Sequence, residues 1–342
     1  MRRRAIAYAS LSAALFGAST PLAKLLVGSV PPLALAGLLY LGSGIGLAVW
    51  FALRRAPLNL ALRDMPWLGA AIAAGGIVGP ALLMFGLTRT DGASASLLLN
   101  LEVVFTAAIA WIIFRENVDK RVLAGMLAIA AGGVVLSWEQ VPRANGIAGP
   151  LLIAGACLAW ALDNNLTRRV SGGDAVAIAA LKGLVAGAVN LALALALGAY
   201  LPAPGAMLLA GLVGLVGYGI SLVLFIVALR DLGAARTGAY FAVAPFYGAG
   251  IALLLLDEPT GSAFWAAATL MALGAWLHVT ERHVHEHVHE ATTHAHEHVH
   301  DAHHQHAHGA WDGREPHSHE HEHGALRHRH PHYPDLHHRH RH

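Results

Sequence analysis

Ten stretches of about twenty apolar residues, the length of helix that crosses a hydrocarbon core, follow one another from residue 5 to residue 280. They cover 5–28, 31–53, 66–87, 92–114, 120–138, 147–167, 174–200, 204–229, 233–256 and 260–280, and consist mainly of Ala, Leu, Gly, Val and Ile. None alternates polar with apolar residues as a barrel strand does. The sequence therefore predicts an all-α integral membrane protein with ten transmembrane helices. Only 13% of the residues are charged, against about 25% in soluble domains, which leaves too little polar surface for one large globule in water. Arg2, Arg3 and Arg4 before the first run imitate a signal peptide. The long apolar core and the nine runs that follow make it a retained first helix.

Basic residues in short loops orient such a chain. With the N-terminus in the cytoplasm, Arg2, Arg3, Arg4, Arg54, Arg55, Arg63, Arg115, Lys120, Arg121, Arg168, Arg169 and Arg230 lie inside, and Arg89 and Arg143 outside. This predicts a multi-pass protein of a bacterial-type inner (plasma) membrane with both termini cytoplasmic. The single cysteine, Cys157, excludes a disulfide within the chain. No G-x-x-x-x-G-K-[ST] phosphate loop occurs, so an ion gradient or facilitated diffusion is the expected driving force. Residues 1–277 hold 17 Lys and Arg against 11 Asp and Glu, and the last 65 residues 6 against 10. Nothing in that balance indicates nucleic-acid binding.

The two halves resemble each other. LLLNLEVVFTAAIAWIIFRE ends at Glu116 and YFAVAPFYGAGIALLLLDE at Glu258, 142 residues later. Phe16-Gly17 matches Trp160-Ala161, and Gly79 and Phe85 match Gly219 and Phe225. An odd number of spans per unit turns the second unit upside down, the inverted-repeat plan of many transporters. Shared Ala/Leu/Gly composition is the bland explanation of the likeness, and the recurring glutamate argues against it. Two five-helix units, each with an apolar helix running into an acidic residue (FRENV and LDEPT), resemble the EamA-type transporters of the drug/metabolite transporter superfamily over residues 5–280. That family often has Trp-Gly in its first helix and Gly-Glu after its fourth, where this chain has Phe16-Gly17 and Arg115-Glu116. The resemblance implies repeats over 1–142 and 143–280, and a carrier, not an enzyme, that moves a small organic solute without ATP and often outward.

Ionisable groups at membrane depth cost about 3 kcal/mol each even on lenient scales, so each needs a reason. Glu102 lies near the centre of the fourth run, as a proton-coupling or cation-recognising group or as a glutamate held by a hydrogen bond inside the bundle. Asp163 and Lys182 fall at similar depth on neighbouring antiparallel helices and are expected to pair. The pair is either part of the translocation path or a structural contact that fixes helix register. Asn164 and Asn165, with Ser19 and Thr20 in the related place of the first helix, mark a binding site between the halves or ordinary interhelical hydrogen bonds. Lys24 is expected to snorkel at the outer interface. Pro80 and Pro245 are expected to kink their helices. Gly42-x3-Gly46, Gly75-x3-Gly79 and Gly183-x3-Gly187 are expected to let helices cross closely.

All 24 histidines lie between His278 and His342. Over 281–342 they alternate with acidic and small residues, a composition that builds no core and predicts a disordered cytoplasmic tail. His283, His285, His287, His289, His294, His296, His298, His300, His317, His319, His321 and His323 are candidate ligands for Zn, Ni, Co or Cu. The alternative is a solvated tail that touches anionic lipid when protonated. The H-E-x-x-H matches at 285–289, 296–300 and 319–323 follow from composition and do not indicate a protease.

The leading expectation is a secondary transporter, in the exporting direction, of a small metabolite or drug-like solute. Its partners are that solute, the lipid bilayer and divalent metal on the tail; no cofactor is required, and a homodimer is compatible with the architecture. One alternative is a Ni/Co/Zn exporter whose tail collects metal. The other is a membrane-anchored metal buffer or sensor.

Overall fold

The computed structural model describes residues 2–54, 62–113, 120–140, 146–170, 174–232 and 240–280, and tail stretches 283–289, 292–298, 317–323 and 326–332. The chain divides into two units, Met1–Glu281 and Arg282–His342.

The described part of the first unit is helical. In lipid every backbone amide and carbonyl must be satisfied within the segment, and apolar runs therefore wind into helices. The helices are α1 (Arg2–Leu26), α2 (Pro32–Arg54), α3 (Met65–Leu87), α4 (Gly92–Ile112), α5 (Lys120–Gln140), α6 (Ala148–Val170), α7 (Ala175–Ala196), α8 (204–232), α9 (Ala244–Leu256) and α10 (Ser262–Val279). Among the described residues, seven helices are long and apolar enough to cross a membrane: α1 to α5, α7 and α8. α6 carries the polar triplet Asp163-Asn164-Asn165, and α9 and the apolar part of α10 are shorter.

The packing repeats with a two-fold relation. α1 rests on α8 as α6 rests on α3, and α1 meets α9 as α6 meets α4. α2 with α7, α4 with α9 and α5 with α10 are self-matching pairs. Small residues allow these approaches. A Cβ on Gly37 would meet Leu191 N at 2.7 Å, and one on Gly183 would meet Gly44 Cα at 2.6 Å. α2 thus uses Gly37 and Gly44 against α7. Gly42 faces Gly211 of α8 instead.

α3 and α8 each contain a π-helical stretch, Ile72–Val78 and Leu215–Ile220, at matching places in the two halves. Such bulges interrupt the regular ladder and recur at functional sites. Pro80 stands just after the first stretch, and Pro245 in the first turn of α9. Pro245 sits where a missing amide leaves no bond unmade, whereas Pro80 lies inside α3 and withholds the amide that Gly76 O, four residues before it, would otherwise accept from. α4 is also interrupted, by a turn at Leu99-Asn100. Residues 92–100 before it are buried against α9 and α1, while none of 101–112 is buried and this part packs on α6 and α5.

In the tail, β1 (His283–His289) pairs antiparallel with β4 (Leu326–His332), and β2 (Thr292–His298) with β3 (His317–His323). Alternate positions place histidine opposite histidine, as in His285↔His330 and His296↔His319. The alternation that argues against a core is the period of a strand, but a two-stranded ladder alone is marginal in water. His300 lies outside the described residues.

Candidate functional site

The interior polar groups centre on the π stretch of α3. A π turn leaves carbonyls without their usual amide partners, and buried carbonyls must find others. Gly75 O accepts from Trp160 Nε1 at 2.8 Å and Tyr40 Oη at 3.0 Å, and Gly76 O accepts from Asn190 Nδ2 at 3.0 Å. Side chains from α6, α2 and α7 thus close the gap in α3. Asn190 Oδ1 has no hydrogen-bond partner.

Asp163 packs over Gly75, its carboxylate occupying the space that a Cβ there would need. Lys182 Nζ donates to Asp163 Oδ1 at 2.5 Å and Oδ2 at 2.7 Å, and to Thr167 Oγ1 at 3.2 Å. Thr167 Oγ1 donates to Asp163 Oδ1 at 2.8 Å. The structure therefore brings Asp163 and Lys182 into one ion pair with three hydrogen-bonded members. Each charge is compensated locally, as a buried pair requires.

Glu102 is held differently. Asn164 Nδ2 donates to its Oε1 at 2.8 Å, and among the described residues no basic side chain forms an ion pair with it. Thr106, one turn along α4, has a hydroxyl without a partner. Asn165 is spent on packing, since its Nδ2 donates to Ala161 O at 2.9 Å and Thr106 O at 3.4 Å. Ser19 and Thr20 are each 2% exposed, and Ser19 Oγ donates to Phe16 O at 2.6 Å. Ser19 packs on Gly217 of the α8 π stretch as Asp163 packs on Gly75. The structure assigns Ser19 to the matching interface of the other half and forms no hydrogen bond between it and the Glu102 group.

Three features escaped the sequence reading. Tyr40, Tyr218, Phe16, Phe241 and Phe225 form a continuous series, with successive ring centroids 5.7, 5.8, 5.2 and 5.0 Å apart. Their signal was aromatic residues spread over α1, α2, α8 and the start of the segment leading into α9, which only tertiary packing joins. Lys24 does not snorkel. Its ammonium donates to Leu87 O at 2.5 Å and Thr90 O at 2.6 Å, because the end of α3 offers unpaired carbonyls closer than water. Glu258, read as a repeat marker, accepts from Gly92 N at 2.6 Å and Ala93 N at 2.8 Å, so an acid at the end of α9 closes the start of α4. Asp257 in the left-handed region (φ 47°) turns the chain to allow it.

Among the described residues no group of three or more His, Cys, Asp or Glu is placed to hold a metal ion. The tail histidines fall where side chains are outside the description.

The pattern described as the EamA-like transporter family matches residues 3–138 and again 147–280. A protein of Methanothermobacter thermautotrophicus described as an uncharacterized transporter is 29% identical over 299 residues, covering 80% of this chain and 86% of that protein. A solved crystal structure, described only as that of a protein, has a TM-score of 0.59 at 20% identity and covers 80% of this chain and 95% of its own. That likeness speaks for the fold alone.

Proposed function

The chain belongs to the EamA-like transporter family, and from that premise we propose that this membrane transporter carries a small organic solute by alternating access between two inverted five-helix repeats. Ten spans, cytoplasmic termini and an inner membrane complete the reading. The observation that carries it is the change along α4, buried as far as Asn100 and unburied beyond it, with Glu102 just past the break. A helix that packs tightly in one half of the bilayer and loosely in the other is what a carrier open to one side requires. With the N-terminus inside, the tight half is the outer one, closed by Glu258 and Lys24, and the loose half faces the cytoplasm. A path loaded from the cytoplasm suits export.

Glu102 is the coupling group in this reading, and the Asp163–Lys182 pair flanks the path. The test is solute flux in proteoliposomes. Glu102→Gln is expected to abolish uphill transport while the folded protein survives, and wild-type flux in that variant overturns the reading. The alternating histidines favour a second reading, divalent-metal export with the tail as collector. It requires metal flux that is lost when the chain is cut after Glu281. Metal binding without flux would instead make the tail a buffer or sensor.

A further inference from the structure

Charge compensation at the depth of Glu102 narrows the solute. Asp163 is neutralised by Lys182, and Lys182 is in turn committed to Asp163 and Thr167. Lys24 is committed to the carbonyls of Leu87 and Thr90 at the other end of the bundle. Among the described residues, the Glu102 carboxylate has only the Asn164 amide for a partner. Beside it the Thr106 hydroxyl is unpartnered. These two groups offer acceptors. A solute carboxylate or phosphate finds no uncommitted cation at this depth among the described residues, and a dehydrated metal ion needs about six oxygen ligands that the place does not supply.

The other wall is aromatic. Phe16, Tyr40 and Tyr218 come from three helices, Phe241 comes from just before α9, and the four touch ring to ring. Each is half-buried, whereas leucines of the core, such as Leu35, Leu39 and Leu83, are fully buried. Tyr40 Oη donates to Gly75 O, over which Asp163 packs, and the next residue, Asn164, holds Glu102, which joins the aromatic wall to the acidic one. Ring faces attract cations in sites that exclude water.

We propose that the transported solute is an organic amine carried as its ammonium form, with an apolar and preferably aromatic body. The nitrogen is recognised by the Glu102 carboxylate and the Thr106 hydroxyl, and the body lies along the rings of Phe16, Tyr218 and Phe241. The inference rests on the reading that Glu102 lines the transport path.

The test compares one ring with three charges on the full-length protein in proteoliposomes: 2-phenylethylamine, phenylalanine and 3-phenylpropionate. Binding to purified protein is followed by tryptophan fluorescence. The amine is expected to bind about tenfold or more tightly than either other compound and to be the one transported. Glu102→Gln is expected to remove amine binding, and Glu102→Asp to retain part of it, which separates lost recognition from lost folding. Phe16→Leu is expected to weaken 2-phenylethylamine several-fold more than hexylamine. Preference for phenylalanine or 3-phenylpropionate, equal amine binding in Glu102→Gln, or no amine binding at millimolar concentration overturns the inference. Glu102-dependent flux of phenylalanine in place of the amine would overturn the substrate class alone and leave the transport reading standing. Flux of any compound unchanged in Glu102→Gln removes that reading as well.

Discussion

The carboxylate of Glu258 stands on the amide of Gly92 at 2.6 Å, 166 residues away in the chain, and on Ala93 beside it. Helix N-termini expose amides and a partial positive charge, so a carboxylate is their natural partner. What is unusual is that the acid comes from the other half of the molecule. Glu258→Ala is expected to cost about 1–2 kcal/mol and to open this end. Maleimide labelling of Ser96→Cys, a buried neighbour of Gly248, is expected to rise several-fold in the Glu258→Ala background. Unchanged labelling would mean that the contact does not hold the end closed.

Gly75 has its reason in Asp163. A methyl group at residue 75 overlaps the carboxylate, so Gly75→Ala is expected to destabilise by about 1–3 kcal/mol. Gly69 on the same helix has nothing within 4 Å of its would-be Cβ. Gly69→Ala is expected to be neutral or mildly stabilising by helix propensity. Thermal unfolding in detergent compares the two, and equal behaviour would refute the packing account.

Removing one member of the ion pair leaves the other uncompensated. Lys182→Met is expected to cost about 3–5 kcal/mol, and adding Asp163→Leu to recover most of it. The same unfolding assay reads this. A double variant no more stable than Lys182→Met alone would show that the pair does more than neutralise itself.

The π stretch of α3 depends on donors outside its own helix. Trp160→Phe removes the bond from Nε1 to Gly75 O and is expected to cost about 1 kcal/mol. Hydrogen exchange is expected to quicken over residues 72–79 and not over α10. Uniform exchange would place the support of this stretch elsewhere.

The membrane character was legible because the bilayer imposes a length and a composition on every span. The depth argument for Asp163 and Lys182 was legible for the same reason: rise per residue converts position into height. Details set by other helices were not. The π stretches carry no local signature, since the residues that complete Gly75 and Gly76 are Tyr40, Trp160 and Asn190 on three different helices. The run expected to extend to residue 200 ends as α7 at Ala196, where Gly198 takes φ 83°. Lys24 lies where a basic side chain ordinarily reaches water, and only the end of α3 redirects it. The series of rings from Tyr40 to Phe225 needed the packing of α1, α2 and α8 with the residues just before α9 to exist at all.

Asp163 over Gly75 and Ser19 over Gly217 occupy equivalent places, yet one is a charged, triply bonded group and the other a small hydroxyl. Two identical halves would make the inward and outward forms mirror states of equal energy. Because the two interfaces are unequal, exchanging their roles does not restore the same molecule. In the alternating-access reading proposed above, resting occupancy is then an inherited bias of the chain, present before any gradient or solute acts on it.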